Sequence, residues 1–485
     1  ESSAMIQQAA IAAFLFLSFP AFSQSPETAA QKLDSIFSVY TNQTPGAAVA
    51  IVKDGRVVFK KGYGMADLEQ DKPITPQTVF NIASVSKQFT AFAIYLLESE
   101  GRLSFEDDIR KYISELPAYS KPIRIRHLLS HTSGLRDQWA LLGLAGWRQD
   151  DVFTTEQILK LLARQKELNY VPGTTFSYCN SGYTLLAEIV RRVSGRSFAD
   201  YTREKIFTPL GMTNTRFYDN HESLVKNRAQ SYERVGNTYY LKPINVSTAG
   251  PSNLMTTVED LTKWVLNFEN PVVGNAKMIQ AFNEPSCFDD GKKVVMRIFG
   301  PGDSLFQAKG QNLGSHKGVP MITHGGHTAG FRTFMGRFPG QRLAIIALSN
   351  DEHNERLNAR WQLADYYIKD HLQEEPAASP AATVPKPAPA PPVYTTGLRQ
   401  FEGDYHNDEL LTSYSIEVRN DLLVMTHMRL PDLVLKRTGE NRFSGSGPQT
   451  FPFELEFLKS ETGTITGFLI SNFGVKNMLF AKKGR

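Results

Sequence analysis

Residues 80–87 of the chain read Phe80-Asn81-Ile82-Ala83-Ser84-Val85-Ser86-Lys87. Ser84 and Lys87 are three residues apart, so they share one face if the segment is helical. From Val85 to about Glu100 the apolar residues recur at helical spacing, and Gly101 ends the run. We therefore expect Ser84 at a helix N-terminus, where free backbone N–H groups and the helix dipole favour an anion. This position suits a serine that attacks a carbonyl group with a lysine as its base.

A second phrase, Phe176-Ser177-Tyr178-Cys179-Asn180, adds a tyrosine and an asparagine that could complete such a site. Each motif is weak when taken alone. The stretch Ser223-Leu224-Val225-Lys226 repeats the Ser-x-x-Lys spacing, and Tyr-x-Asn also begins at Tyr40, Tyr218 and Tyr405. An isolated Ser-x-x-Lys is usually an ordinary helix N-cap, so the surrounding sequence has to decide.

Longer phrases around these residues supply that context. In chain order they are Phe80 to Lys87, Ile125-Arg126-His127-Leu128-Leu129-Ser130-His131-Thr132-Ser133-Gly134-Leu135, Pro172-Gly173-Thr174-Thr175-Phe176-Ser177-Tyr178-Cys179-Asn180-Ser181-Gly182-Tyr183, Pro209-Leu210-Gly211-Met212, Val258-Glu259-Asp260-Leu261 and His324-Gly325-Gly326-His327-Thr328-Ala329-Gly330-Phe331. Together they resemble the serine hydrolases of the class C β-lactamase and penicillin-binding-protein superfamily (peptidase S12-like), in the family's order from residue 27 to residue 372. Nothing similar surrounds Ser223 or the other three tyrosines.

The resemblance implies an α/β (α+β) β-lactamase-like transpeptidase fold for residues 27–372. An antiparallel sheet would form from strands at 46–52, 56–63, 333–338 and 344–349 and would pack against helices. A mainly helical region would be inserted between the N-terminal and C-terminal strands. Ser84 would then lie at the junction of the sheet and the helical region.

The resemblance also implies a role for each residue of the two phrases. Ser84 would be the acylated nucleophile and Lys87 its proton acceptor or electrostatic activator. Tyr178 would carry the proton to the leaving group, and Asn180 would hold the substrate amide and orient Lys87. The same tyrosine, with the charge of Lys87 favouring its phenolate, would activate the water that hydrolyses the acyl-enzyme.

The third motif departs from the usual pattern, because His324-Gly325-Gly326 occupies the place of a Lys-Thr-Gly strand. Small residues such as Gly326 would let a substrate approach an edge strand, and the N–H of His327 would join that of Ser84 as an oxyanion donor. A lysine would bind a substrate carboxylate, whereas His324 is neutral for much of the time at pH 7. Arg332 could compensate for the missing charge. Histidine at this position is similar to D-aminopeptidases and certain carboxylesterases.

Three functions therefore remain open. The first is a hydrolase that forms an acyl-enzyme on Ser84 with an amide or ester, most readily a D-amino-acid peptide or a β-lactam-like compound. The second is a carboxylesterase of the same family. The third is a penicillin-binding or ligand-sensing protein that acylates slowly or not at all.

Other mechanisms find no support in the sequence. It contains neither a Gly-x-Ser-x-Gly elbow nor a His-Glu-x-x-His motif, so no metal site or cofactor is predicted. Glu167 is interpreted as a surface residue, and His127 and His131 are expected to fix the loop that ends at Gly134. The net charge of +4 over 485 residues gives no support for nucleic-acid binding.

The ends of the chain predict export and a second domain. Residues 1–23 have the character of a signal peptide, which predicts a periplasmic or secreted bacterial protein without a stable membrane span. Residues 373–397 are rich in Pro and Ala and predict a linker. Residues 398–485 predict about eight short strands in a small all-β barrel. This module resembles the lipocalin-like modules of some such hydrolases and could bind a ligand, act as a lid or mediate oligomerisation.

The chain has two cysteines, Cys179 and Cys287. Cys179 lies between Tyr178 and Asn180, where a disulfide would constrain the predicted site. We therefore expect two free, buried thiols.

Overall fold

A computed structural model describes residues 28–300, 303–353, 360–373, 397–447 and 450–484. The predicted signal peptide (1–23) and all but the two end residues of the predicted linker (373–397) lie outside these ranges. Among the described residues, no helix combines the length and the apolar character that crossing a membrane requires.

The helices are α1 Ala29–Phe37, α2 Lys87–Ser99, α3 Ile125–Leu129, α4 Gln138–Leu144, α5 Thr155–Ala163, α6 Asn180–Ser194, α7 Phe198–Thr202, α8 Val258–Asn267, α9 Ala276–Phe282 and α10 Arg360–Ile368. The strands that precede the barrel are β1 Ala47–Lys53, β2 Arg56–Tyr63, β3 Met65–Asp67, β4 Lys72–Pro73, β5 Phe80–Asn81, β6 Phe153–Thr154, β7 Arg216–Phe217, β8 Tyr232–Val235, β9 Thr238–Leu241, β10 Val246–Ser247, β11 Leu254–Thr256, β12 Val295–Gly300, β13 Asp303–Gln307, β14 Asn312–His316, β15 Val319–Thr328, β16 Phe331–Phe338 and β17 Leu343–Ser349. The barrel strands are β18 Gly403–Asn407, β19 Thr412–Arg419, β20 Leu422–His427, β21 Leu430–Arg437, β22 Arg442–Gly447, β23 Thr450–Lys459, β24 Ile465–Ser471 and β25 Met478–Lys482.

The main sheet joins the two ends of the first domain. Its strand order is β12-β13-β14-β15-β16-β17-β1-β2, and Ala50 of β1 lies opposite Ile346 of β17. Residues 47, 49 and 51 pack in one cluster with side chains of α1 and α10, whereas residues 48, 50 and 52 face the helical region. Both faces of β1 are therefore buried, which explains its nearly continuous apolar sequence. The predicted antiparallel sheet flanked by helices is confirmed.

The predicted helix from Val85 to about Glu100 forms with a modified start. A 3₁₀ turn covers Ala83–Ser86, and α2 begins at Lys87. Ser84 thus lies in the turn that precedes the α-helix, and Ala83 before it adopts the left-handed φ of 47°. Gly101, with φ of 67°, follows the C-terminus of the helix as predicted.

The C-terminal strands β18 to β25 close into a barrel of eight strands, as predicted. Its interior is filled by aromatic rings that contact one another, from Phe401, Tyr405, Phe443, Phe457, Phe468 and Phe480. A barrel of this size has room for little more than its own side chains. Its buried residues continue the main hydrophobic cluster of the first domain, so the two domains share one core.

The two cysteines are free, as predicted. Cys179 is buried, but Cys287 is exposed, so the expectation that both thiols are buried is wrong. Cys287 forms an isolated antiparallel β-bridge with Lys293 at the surface of the first domain.

Candidate active site

Ser84 lies in a turn that hydrogen bonds fix from two sides. The N–H of Ala83 donates to Asn81 Oδ1 at 2.8 Å, which supports the left-handed backbone just before Ser84. On the sheet side, Thr333 donates its hydroxyl to the carbonyl of Ile82 at 2.9 Å. A non-glycine residue in this conformation costs about 1–3 kcal/mol and persists only where its surroundings fix it. Ser84 itself is partly exposed, so a substrate can reach its hydroxyl.

Lys87 is fully buried and directs its amine at Ser84. Its Nζ donates to Ser84 Oγ at 3.1 Å, to Asn180 Oδ1 at 2.9 Å and to the carbonyl of Pro251 at 2.8 Å. Burial lowers the pKa of Lys87 to about 7, against the opposing effect of the Asp137 carboxylate. The amine is therefore neutral in a large share of molecules near pH 7, and a neutral lysine can accept a proton.

Asn180 begins α6 and links Lys87 to a buried carboxylate. Both its backbone N–H and its side-chain Nδ2 donate to Asp137 Oδ2, at 2.6 Å and 2.9 Å. Because the amide nitrogen is directed at Asp137, the amide oxygen faces Lys87. Burial raises the pKa of Asp137, and the hydrogen bonds from Asn180 oppose that effect. The predicted contact between Asn180 and Lys87 is present.

Tyr178 stands beside the same lysine. The Lys87 amine lies 4.8 Å from the centre of the Tyr178 ring, and the ring of His131 packs against it with centres 4.4 Å apart. Burial raises the pKa of Tyr178, and the Ser84 hydroxyl only partly opposes this. Burial therefore disfavours the phenolate character that the resemblance implies for Tyr178. Tyr178 is held as a phenol that can donate a proton.

The third motif lies on β15 and forms a local edge of the sheet. β14 pairs with β15 only from Val319 to Thr323, whereas β16 pairs with it through Thr328. The segment from His324 to Thr328 thus has a strand on one side only, although β15 as a whole is an inner strand. The predicted edge is local. A residue pattern cannot reveal where the neighbouring strand ends.

The glycine at 326 is required by a close approach. A Cβ at this position would lie 2.3 Å from Thr333 Oγ1 and 2.4 Å from the carbonyl oxygen of Ile82. Gly326 therefore lets β15 pack directly against the turn that carries Ser84. His327, the next residue, is exposed.

The charges near the third motif differ from those of a lysine-bearing strand. His324 is buried, and burial together with the charge of Lys87 lowers its pKa to about 4. It is neutral at pH 7. Arg332 forms an ion pair with Glu352 at 3.0 Å and donates to the carbonyls of Ala329 and Phe331. Arg332 is thus already partnered and does not replace the missing lysine.

Three residues in the vicinity were not selected from the sequence as site residues. Asp137 follows the phrase that ends at Leu135 and also caps α4, since its Oδ1 accepts from the N–H of Trp139 at 2.9 Å. The N-cap pattern was visible in the sequence, but its contact with Asn180 was not. The Pro251 carbonyl has no side-chain signal. His131 packs on Tyr178 and accepts from the N–H of Cys179 at 3.1 Å.

The other interpreted residues lie where the sequence suggested. His127 accepts from the N–H of Arg124 at 3.1 Å and contacts Asp289 at 3.0 Å, so it fixes its loop. Glu167 is exposed. In the part of the chain that the structure describes, no cluster of three His, Cys, Asp or Glu side chains could hold a metal ion.

The sequence pattern of the beta-lactamase family matches residues 27–368. The chain belongs to the beta-lactamase family. This match covers the whole sheet and every side chain of the cluster around Lys87.

Individual members resemble the chain over different spans. A D-aminopeptidase of Brucella anthropi is 31% identical over 309 residues, which cover 64% of this chain and 56% of the relative. The chain therefore spans little more than half the length of that curated relative. Among solved structures, an octameric penicillin-binding protein homologue from Pyrococcus abyssi has a TM-score of 0.60 and 21% identity, and covers 93% of this chain and 99% of its own. A D-amino acid amidase from Ochrobactrum anthropi SV3 has a TM-score of 0.57 and 20% identity, over 70% of this chain and 99% of its own. These two structures share the fold of this beta-lactamase family member.

The close approach at Gly326 leads to a first prediction. Gly326→Ala should lower the melting temperature by about 5 °C, because the new methyl group pushes β15 from the Ser84 turn and disturbs the bond from Thr333 to Ile82. Gly325→Ala is the matched control, since its Cβ would meet only the Thr333 carbonyl oxygen at 3.7 Å. Differential scanning calorimetry of both variants is the measurement. Equal melting temperatures would contradict the packing described here.

Proposed function

We propose that this protein is a serine hydrolase that cleaves amides of D-amino acids through an acyl-enzyme on Ser84. The observation that supports it best is the fully buried Lys87 amine, 3.1 Å from Ser84 Oγ and with a pKa lowered to about 7. The resemblance to a D-aminopeptidase supports the substrate class. The signal-peptide character of residues 1–23 supports export to the periplasm or the medium.

In the proposed acylation step, Ser84 Oγ attacks the substrate carbonyl carbon while its proton passes to the neutral amine of Lys87. The backbone N–H groups of Ser84 and His327 receive the developing oxyanion. The intermediate collapses as the bond from carbon to nitrogen breaks. The phenol of Tyr178 gives its proton to the leaving amine and regains one from the Lys87 ammonium. The products of this step are a free amine and an ester on Ser84.

Water then completes the cycle. It attacks the ester carbonyl and passes a proton to the Lys87 amine. As the bond between Ser84 Oγ and the carbonyl carbon breaks, the Lys87 ammonium returns this proton to Ser84 Oγ through Tyr178. Since burial raises the pKa of Tyr178, the tyrosine acts as a relay and Lys87 holds the proton. Asn180 keeps the Lys87 amine aimed at Ser84 throughout.

The charges around the third motif favour a substrate that has no carboxylate near the bond that is cleaved. His324 is neutral at pH 7 and Arg332 is paired with Glu352, so neither residue offers a free cation to a substrate carboxylate. A β-lactam carboxylate or a free C-terminal D-alanine would gain little here. Amides, short peptide amides and esters avoid this deficit. A carboxylesterase is the second candidate, because the same lack of charge suits an ester.

A substrate panel tests the proposal. The purified protein should release product from D-alanine p-nitroanilide at least about tenfold faster than from its L-isomer, and should turn over a chromogenic cephalosporin more slowly. Faster turnover of a short-chain p-nitrophenyl ester with no D-amide activity would select the esterase. A stable acyl mass increase without turnover would select the sensor.

Two serine variants show whether Ser84 is responsible. Ser84→Ala should lose all turnover and the mass increase, because no nucleophile remains. Ser223→Ala is the matched control, since Ser223 begins the second Ser-x-x-Lys of the chain and should leave both unchanged. Turnover that persists in Ser84→Ala would sink the mechanism.

The relay role of Tyr178 gives a separate prediction. Tyr178→Phe should lower kcat by about 10²-fold or more, with a melting temperature close to that of the unmodified protein, because the proton path is lost and the packing on His131 is kept. Tyr405→Phe is the control, since that tyrosine heads another Tyr-x-Asn and bonds only within the barrel, to the Phe401 carbonyl. Steady-state kinetics and thermal melting decide the matter. An unchanged kcat in Tyr178→Phe removes the tyrosine from the mechanism.

The pKa of Lys87 predicts the pH dependence. Only the neutral amine accepts a proton, so kcat/KM should rise as pH increases through about 7 and then level off. Around Lys87, burial lowers the pKa of His324 to about 4 and that of His131 well below its usual value, and burial raises the pKa values of Tyr178 and Asp137. The rising limb should therefore persist in His324→Gln. A profile of kcat/KM that is flat near pH 7 would contradict the role of Lys87. A rising limb that disappears in His324→Gln would assign the titration to His324.

A further inference from the structure

The barrel contacts the first domain directly beside the active site. The Gly474 carbonyl, between β24 and β25, accepts from the N–H of Asp137 at 2.8 Å and from Asn169 Nδ2 at 3.0 Å. The N–H of Lys476 donates to Asn169 Oδ1 at 2.8 Å, so the Asn169 amide is hydrogen-bonded to the residues on both sides of Val475. Val475 is fully buried. The barrel turn Asn472–Val475 is thus anchored in the first domain.

The barrel turn is itself rigid. Asn472 Oδ1 accepts from the N–H of Gly474 at 3.0 Å and from that of Val475 at 2.8 Å, and the N–H of Asn472 donates to the Val475 carbonyl at 2.8 Å. These three bonds close the turn without help from the first domain. It can therefore act as a fixed support and need not follow the residue that it contacts.

Gly474 is fitted to Asp137 by contact distance. A Cβ on Gly474 would lie 2.6 Å from the Cβ of Asp137 and 3.0 Å from that of Ala140. Its φ is not in the left-handed region, so no backbone requirement explains the glycine. The absence of a side chain serves the close approach to Asp137.

Asp137 in turn holds the residues around Ser84. Its Oδ2 accepts both N–H groups of Asn180, and Asn180 Oδ1 accepts from Lys87 Nζ at 2.9 Å. A continuous series of hydrogen bonds therefore runs from Gly474 through Asp137 and Asn180 to Lys87. Each member is buried or nearly so, and water cannot easily replace a lost partner.

A second contact from the barrel fixes the residue next to Asp137. Arg136, only 2% exposed, pairs with Glu409 of the barrel at 2.8 Å. Glu409 also accepts from the N–H of Lys166 at 2.9 Å and, through its carbonyl, from Arg164 at 3.0 Å. Arg136 and Asp137 are thus both bonded to the barrel, in addition to bonds within the first domain such as that from Ser181 Oγ to the Arg136 carbonyl at 2.7 Å.

We propose that the barrel turn Asn472–Val475 is a positioning element of the active site, which places the Asp137 carboxylate so that Asn180 presents its amide oxygen to Lys87. The barrel is then a structural part of the catalytic centre. This inference rests on the proposed function, since it concerns the base of that mechanism. It predicts that small changes in the barrel turn impair chemistry more than substrate binding.

The test uses the full-length protein with Gly474→Ala and Asn169→Ala. In Gly474→Ala the new methyl group forces the turn away from Asp137, and kcat on the best substrate should fall about tenfold or more while KM changes less than about twofold. Asn169→Ala releases the same turn without adding bulk and should give a smaller loss of kcat, about threefold. Gly484→Ala is the control in the second domain, because Gly484 follows the last barrel strand and a Cβ there would meet no atom within 4 Å.

Rates are expressed per reactive Ser84, counted by mass spectrometry after labelling with a fluorophosphonate, so that misfolded molecules do not enter kcat. A loss of kcat at constant KM in both variants supports the positioning role. If Gly474→Ala does not fold, the kcat of Asn169→Ala decides. If the wild-type protein is active and both Gly474→Ala and Asn169→Ala have the same kcat as Gly484→Ala, the inference is overturned. The proposed function is unaffected by that result. If Ser84→Ala keeps the turnover of the wild-type protein, both the inference and the proposed function are overturned.

Discussion

Burial of the Lys87 amine requires that several distant segments of the chain come together. Removing an ammonium group from water is costly unless it is hydrogen-bonded or loses its charge. In its ammonium form Lys87 Nζ donates to three acceptors, from Ser84, Asn180 and Pro251, and its pKa is lowered to about 7. Each acceptor comes from a different part of the chain. The 3₁₀ turn, the start of α6 and the loop before β11 must therefore all be in place before the lysine can be buried.

The Asp137 carboxylate helps to satisfy this requirement while the pKa of Lys87 stays lowered to about 7. A carboxylate in direct contact with Lys87 would favour the ammonium and keep the pKa near its usual value. Asn180 stands between the two groups and bonds to both. The negative charge thus acts from one residue further away, where it raises the pKa of Lys87 less than burial lowers it. The amide also acquires a fixed orientation, because its nitrogen must face the carboxylate.

The family resemblance of the ordered phrases predicted the sheet and the site residues Ser84, Lys87 and Tyr178, and short alternating segments predicted the barrel, because phrases and alternation are properties of contiguous sequence. The contacts of Asp137 were not predictable in this way. Asp137 reads as an N-cap of α4, which it is, while its second oxygen and its N–H reach Asn180 and Gly474 in distant segments. Likewise, the register of β14 leaves His324 to Thr328 without a second neighbour, and register depends on the fold as a whole. The exposure of Cys287 also depends on tertiary packing.

The histidine at position 324 connects substrate choice to the strength of the base. The charge of Lys87 is one cause of the lowered pKa of His324, so the two side chains are close enough to interact. An ammonium at position 324 would repel that of Lys87 and would itself have to be buried or shielded. A neutral imidazole removes this repulsion and leaves burial and Asp137 to set the pKa of Lys87. Histidine in place of lysine at position 324 also removes the cation that would bind a substrate carboxylate. With this histidine, the pKa of Lys87 stays near 7 and the third strand lacks a cation at position 324, and both features agree with the proposed action on neutral amides or esters.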